Sequence, residues 1–204
     1  MGSEKEQEPV LRLASASPRR RQLLELIGVP HVVTPADIDE TPLRGESGAA
    51  YVTRLARDKA LAVHQRHRDL AVLAADTTVH IDGHILEKPR SEADCIRMLG
   101  LLCGRRHQVY TGVCVVSAAP PALVCSETQV EFRELSEAEM RAYWASGEPQ
   151  GKAGAYAIQG LGAVFVSNII GSYTGVMGLP LFETAQLLQR HGVAVWHGAL
   201  GGAD

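Results

Sequence analysis

Ser15, Ser17, Arg19, Arg20 and Arg21 fall within seven consecutive residues, in the run LASASPRR and the arginine after it. Two hydroxyls and several guanidiniums at that density suit a phosphate. Arginine forks match phosphate oxygens, and a helix start adds free N–H groups. The local grammar supports a helix start: Ser17 suits the N-cap, Pro18 the first helical position and Gly28 the C-terminal stop. The arginines then crowd a first turn whose dipole is positive and disfavours cations. A bound anion would offset that cost. An ordinary helix with a solvated basic face explains the same residues, and this stretch alone does not separate the two.

Three other residues stand where chemistry is possible. Lys59 interrupts the apolar face formed by Val52, Leu55, Ala56 and Val63, on a helix that Ser47 can cap and that runs to about Arg66. It either snorkels to solvent or projects along the buried face toward a ligand. Asp76 follows the wholly apolar run at residues 70–75, a central-strand pattern expected to stop at Asp76-Thr77-Thr78. A carboxylate at the carboxyl end of a strand in an open α/β sheet is well placed for catalysis or metal binding, or it simply caps a turn. Glu40 lies in the acidic, turn-rich segment at residues 37–42, which is either a solvated loop or, if it faces a phosphate, a source of a carboxylate for Mg²⁺.

The elements around these residues alternate between strand and helix, which points to an α/β fold. A short strand is expected at residues 31–34. A hairpin turns at Asp82-Gly83 and leads to Lys88. Helices are expected after Ser91 and after the capping box that begins at Ser136. Arg54, Arg57 and Asp58 read as solvated. Two long strands are expected over residues 108–116 and 124–132. The glycine-rich stretch GKAGAYAIQGLG, residues 151–162, is unsuited to a regular helix; it carries Lys152, Tyr156 and Gln159, and lets backbone approach a ligand. A strand at 163–166, a turn at 171–173 and a last helix opened by Pro180 complete the pattern. Residues 1–10 read as a polar tail or expression remnant, and 193–204 as a weakly patterned tail that Trp196 would dock.

The 204 residues, 46% hydrophobic, suffice for one substantial core. Net charge is −3, of which the first ten residues contribute −2 (Glu4, Glu6 and Glu8 against Lys5), so no nucleic-acid partner is expected. No apolar run is long enough to cross a membrane, and no signal peptide is evident. Cys95, Cys103, Cys114 and Cys125 show neither CxxC spacing nor a disulfide framework, so reduced thiols in the cytoplasm are expected. The chain lacks a GxxxxGK[ST] loop, a strand-linked GxGxxG, HExxH and GxSxG. Phosphate handling must therefore use dispersed basic residues and carboxylates.

Six motifs in order, LASASPRR, RLARDKA, AADT, LEKP, GKAGAYAIQGLG and GSYTGVMGLP, resemble the Maf family of nucleoside triphosphate pyrophosphatases over about residues 11–192. The resemblance implies a single Maf-like (inosine triphosphatase-like) α/β domain, with a mixed central sheet flanked by helices, two lobes and a cleft. It also implies a homodimer, a divalent metal (Mg²⁺ or Mn²⁺), and cleavage of the α–β phosphoanhydride. KAGAYxIQG resembles the branch acting on dTTP and UTP. The branch acting on 7-methyl-GTP carries a motif closer to AGxFxxEG. On this match Asp76 falls on the proton acceptor, and Arg19, Thr77 and Gln159 on positions linked to substrate choice. The chain departs from the family at Gln22 and Gly151, where acids are usual, and at Ala75 and Ala157, where glycine is. The expected site therefore has Asp76 as catalyst; Ser15, Arg19, Arg20, Lys59, Thr77, Lys88 and Gln159 on the triphosphate; and Glu40 with Asp76 on the metal. A non-catalytic nucleotide-binding regulator of cell division is the contrasting reading.

Overall fold

Thr77, Thr78 and Val79 are β-branched, and with them the apolar run at 70–75 continues as strand instead of stopping at Asp76. The computed structural model describes residues 8–196; the expected tails at 1–10 and 193–204 lie largely outside them. Strand β1 (Leu11–Leu13) leads into helix α1 (Pro18–Leu26), β2 (His31–Val33) and the long helix α2 (Gly48–Arg66). Next come β3 (Ala71–Ile81), the hairpin strand β4 (His84–Leu86), α3 (Glu92–Leu102), β5 (Arg106–Val116) and β6 (Ala122–Phe132). After α4 (Glu137–Ala145), two 3-10 turns precede β7 (Val166–Ile170), α5 (Tyr173–Met177) and α6 (Leu181–Arg190).

The strands form one seven-stranded mixed sheet in the order β2-β1-β3-β5-β6-β7, with β4 beside β3. Only β1 pairs in parallel, with β2 and with β3; the remaining pairings are antiparallel. One edge of β3 is shared by two short strands. The β1 pairing ends at Leu13↔Leu73, and the β4 pairing begins at Leu86↔Val79. Residues 74–78 thus line a notch on that edge, while the other edge stays paired to β5 from Val72 to His80.

Both faces of β3 are covered. Val72 and Ala74 pack with Ala56, Ala60 and Val63 of α2. Leu73 and Ala75 pack with Leu23 and Leu24 of α1 and Leu187 and Leu188 of α6. Gly112 of β5 lies opposite Asp76. A Cβ there would collide with the backbone of Val52, so its absence lets α2 lie close on the sheet.

Several boundaries differ from the sequence expectation. Residues 163–166 are mostly a 3-10 turn, Leu161–Phe165, because a side chain described below captures its first two amides; the strand follows at Val166–Ile170. The turn expected at 171–173 opens α5, with Ser172 accepting from the Gly175 amide. Ser17 occupies the N-cap of α1 but its side chain bonds no helical amide. The Ser136 capping box forms in full, and Asp82-Gly83 has both φ values positive, as a type I′ turn requires.

His107 is fully buried among Phe132 and Tyr156, with Nε2 3.0 Å from the Tyr156 hydroxyl. Burial pushes it down to about 4. The folded state therefore binds this proton less readily than the unfolded chain, whose histidine titrates near ~6.5. The sign follows: stability is full above about pH 6.5 and declines as pH falls toward 4, by about 3 kcal/mol from this group. Urea midpoints measured from pH 7 to pH 4.5 are expected to show the decline, and His107→Gln to flatten it.

Candidate active site

The notch in β3 opens into a cavity of about 1180 Å³. Ser15, Arg19, Arg20, Glu40, Lys59, Asp76, Thr77, Lys88 and Gln159 all line it. These nine sequence-predicted residues come from six separate segments, and the fold brings every one of them to the same cavity. Six cationic side chains (Arg19, Arg20, Lys59, Lys88, Arg90, Lys152) face four carboxylates (Asp39, Glu40, Asp76, Glu87) across it. The local balance is positive in a chain of net charge −3. Such a cavity concentrates anions.

Its centre is an ion triad. Lys59 Nζ lies 2.6 Å from Asp76 Oδ1 and 2.8 Å from Glu40 Oε1. Lys59 and Asp76 are each only 7% exposed, whereas Glu40 is on the exposed rim. Lys59 thus does not snorkel: it runs along the buried face of α2 to the sheet. Asp76 is not at a strand terminus but in mid-strand, where the notch leaves it facing the cavity. Among the described residues only its Oδ1 is bonded to a side chain. The acidic segment joins the site through Glu40. Arg54 helps hold that segment, against the expectation of a solvated arginine: it forks onto both Glu46 oxygens at 2.7 and 2.8 Å and donates to the Thr41 carbonyl.

A second cluster approaches from the opposite face. Strand alternation turns Thr77 away from Asp76. Arg20 donates through Nη2 to Thr77 Oγ1 and through Nη1 to Ser15 Oγ, both at 3.2 Å, and through Nε to the Gly178 carbonyl at 2.9 Å. Thr77 Oγ1 is 2.9 Å from Thr111 Oγ1, which donates to the Gly175 carbonyl. Burial holds the Arg20 guanidinium below its ordinary value, an effect that Asp76 and Glu40 offset only in part, and it remains charged.

At the start of α1, Arg21 N makes the first intrahelical bond, to Ser17 O at 3.3 Å. The amides of Arg19 and Arg20 precede it, and the Ser17 hydroxyl satisfies neither. They remain available to an anion. Arg19 Nη1 donates to Gln22 Oε1 at 3.1 Å. Gly151 takes φ 71°, a left-handed conformation that glycine adopts freely.

Sequence reasoning missed Tyr51, Thr111 and Glu87. Tyr51 lines the cavity and donates to the Glu40 carbonyl at 2.9 Å. It lies two helical turns before Lys59 on the same stripe, a legible signal. Glu87 adjoins Lys88 in LEKP. Thr111 carried no signal, since only strand pairing places it beside Thr77.

Could the site hold a divalent cation? No cluster of three or more His, Cys, Asp or Glu ligands occurs among the described residues. Glu40 and Asp76 converge on one point, now bridged by Lys59. Two carboxylates suit Mg²⁺ when phosphate oxygens and water complete its shell. The residues fit a cation that shares its coordination with a triphosphate.

The family model described as Maf-like protein matches residues 10–191. A protein of Sphingopyxis alaskensis is 57% identical over 187 residues, covering 91% of this chain and 98% of its own. One from Bordetella parapertussis is 53% identical, with 92% and 95% coverage, and one from Saccharophagus degradans 52%, with 91% and 90%. Each of the three is named dTTP/UTP pyrophosphatase. Among solved structures, the Staphylococcus aureus Ham1 protein overlaps in part: TM-score 0.46, 16% identity, 60% of this chain and 71% of that one.

The triad yields a stability test. Lys59→Met strips Asp76 of its charge partner and is expected to lower the unfolding free energy by about 1–3 kcal/mol. Asp76→Asn in the same chain is expected to restore part of it. Urea unfolding of the two single variants and the double measures the coupling; additive losses would show that the pair does not interact.

Proposed function

The chain belongs to the Maf-like protein family, and we propose that it hydrolyses dTTP and UTP to the nucleoside monophosphate and pyrophosphate. The observation that carries the reading is the convergence of nine predicted residues on one cationic cavity, with Asp76 held there by Lys59.

In this reading the triphosphate lies along the start of α1. The amides of Arg19 and Arg20, the Ser15 hydroxyl and the side chains of Arg19, Arg20 and Lys88 bind its oxygens. Lys59 fixes the Asp76 carboxylate through Oδ1 and leaves Oδ2 for water. Water attacks the α-phosphorus in line; Asp76 accepts its proton; the bond from the α-phosphorus to the bridging oxygen breaks. The cationic side chains stabilise the negative charge that develops on the departing pyrophosphate. Glu40 and Asp76 would hold the divalent cation, which when bound supplies further charge neutralisation on the phosphates.

Gln159 presents one amide donor and one acceptor to the base. Uracil and thymine offer an N3–H and a carbonyl in complement. Thr77, tied to Arg20, lines the same cavity as Gln159. The reading includes homodimeric assembly, drawn from the family resemblance, and a cytoplasmic setting, supported by four free cysteines.

Pyrophosphate release from a panel of triphosphates, including CTP and 7-methyl-GTP, with and without Mg²⁺, tests the proposal. UTP and dTTP are expected to be the preferred substrates, and chelation of the metal to abolish turnover. Asp76→Asn is expected to lose about 10²–10³ in kcat while still unfolding as a cooperative folded chain. Near-normal release by that variant would remove Asp76 from the reaction.

A further inference from the structure

Glu148 does not line the cavity, yet its carboxylate takes part in three hydrogen bonds around the segment that carries Gln159. Oε2 accepts from the Leu161 amide at 2.9 Å; Oε1 accepts from the Gly162 amide at 2.9 Å and from the Tyr143 hydroxyl at 2.7 Å. Tyr143 Oη in turn accepts from the Ala157 amide at 3.1 Å. The segment is thus gripped two residues before Gln159 and again two and three residues after it. The Gly160 amide closes the turn onto the Ala157 carbonyl at 3.2 Å.

Two glycines record how tightly this clamp fits. A Cβ on Gly160 would run into the Glu148 carboxylate, and one on Gly162 into the Tyr143 hydroxyl. Burial pushes the Glu148 carboxyl up, but the amides of Gly162 and Leu161 and the Tyr143 phenol hold it below the ordinary carboxylate value. The group is therefore a carboxylate at neutral pH, which a cluster of donors requires. The three donors leave no place for an amide NH₂ at this position without a donor facing a donor.

We infer that Glu148 is a positioning residue for base selection: through Tyr143, Leu161 and Gly162 it sets where the Gln159 amide stands in the cavity. This rests on the reading of Gln159 as the group that contacts the base. No hydrogen bond or ion pair joins Glu148 to Asp76, Lys59 or Arg20, so its effect falls on which base is accepted and not on phosphoryl chemistry.

The test is kinetic. Glu148→Gln, Tyr143→Phe, Gly160→Ala, Gln159→Ala and the double variant Glu148→Gln/Gln159→Ala are assayed on UTP and CTP, with kcat and KM measured separately. Gln159→Ala and Glu148→Gln are each expected to cut the UTP-over-CTP ratio of kcat/KM by about tenfold, mainly through a raised KM for UTP. In the double variant the second substitution is expected to change the ratio no further, a non-additivity that general loosening of the fold would not produce. If Glu148→Gln does not fold, Tyr143→Phe and Gly160→Ala strain the same clamp and must shift the ratio in the same direction. A parallel fall in kcat on both substrates, with the ratio kept, would overturn the inference while leaving Gln159 as base reader. An unchanged ratio in Gln159→Ala would overturn both.

Discussion

The site depends on one ammonium. Lys59 sits between Asp76 and Glu40 and bonds both, offsetting the repulsion between two neighbouring carboxylates. A lone carboxylate as buried as Asp76 would carry a desolvation cost of several kcal/mol in such surroundings. The lysine offsets that cost while leaving one carboxylate oxygen unbonded. It also ties three distant pieces of chain, the acidic segment, α2 and β3, to one point. Its own placement has a further cause in Gly112, whose missing side chain lets α2 rest close against the strand beside Asp76.

The notch in β3 explains how one cavity draws on both faces of a sheet. Alternation along the strand sends Asp76 toward α2 and Thr77 toward α1. In a fully paired sheet those two side chains would occupy separate compartments. Here the pairing with β1 stops at Leu73 of β3, and the pairing with β4 starts only at Val79 on the same edge. Arg20 reaches round from α1, and Lys59 from α2, into a shared space. The start of α1 lines that space too, with no side-chain cap on its amides, in the turn where the arginines are unfavourable for an isolated helix.

Much of this was legible beforehand because its signals are local. Ser17-Pro18 marks a helix start, Asp82-Gly83 a tight hairpin, and Ser136 with Glu139 a capping box; each appears where the residues direct. Lys59 was conspicuous because a charge in an apolar stripe must be explained, and its partner proved to be Asp76. The errors share a cause: they concern what a distant segment contributes. Asp76 was expected at a strand end because polar residues usually break an apolar run, yet β5 supplies Gly112, Thr111 and Tyr110 as cross-strand partners and the strand continues. The strand expected at 163–166 gave way to a 3-10 turn because Glu148, more than ten residues earlier, captures its amides. Thr111 offered nothing to read at all.

Mid-strand placement gives Asp76 a neighbourhood with little freedom. Its backbone belongs to a long antiparallel ladder, paired to β5 from Val72 to His80, the kind of region whose amides exchange with solvent only when the whole domain opens. Glu40 and Lys88, by contrast, stand on exposed connecting segments. Any accommodation to an arriving or departing nucleotide must come from this rim, with the acid at the centre acting as a stationary anvil.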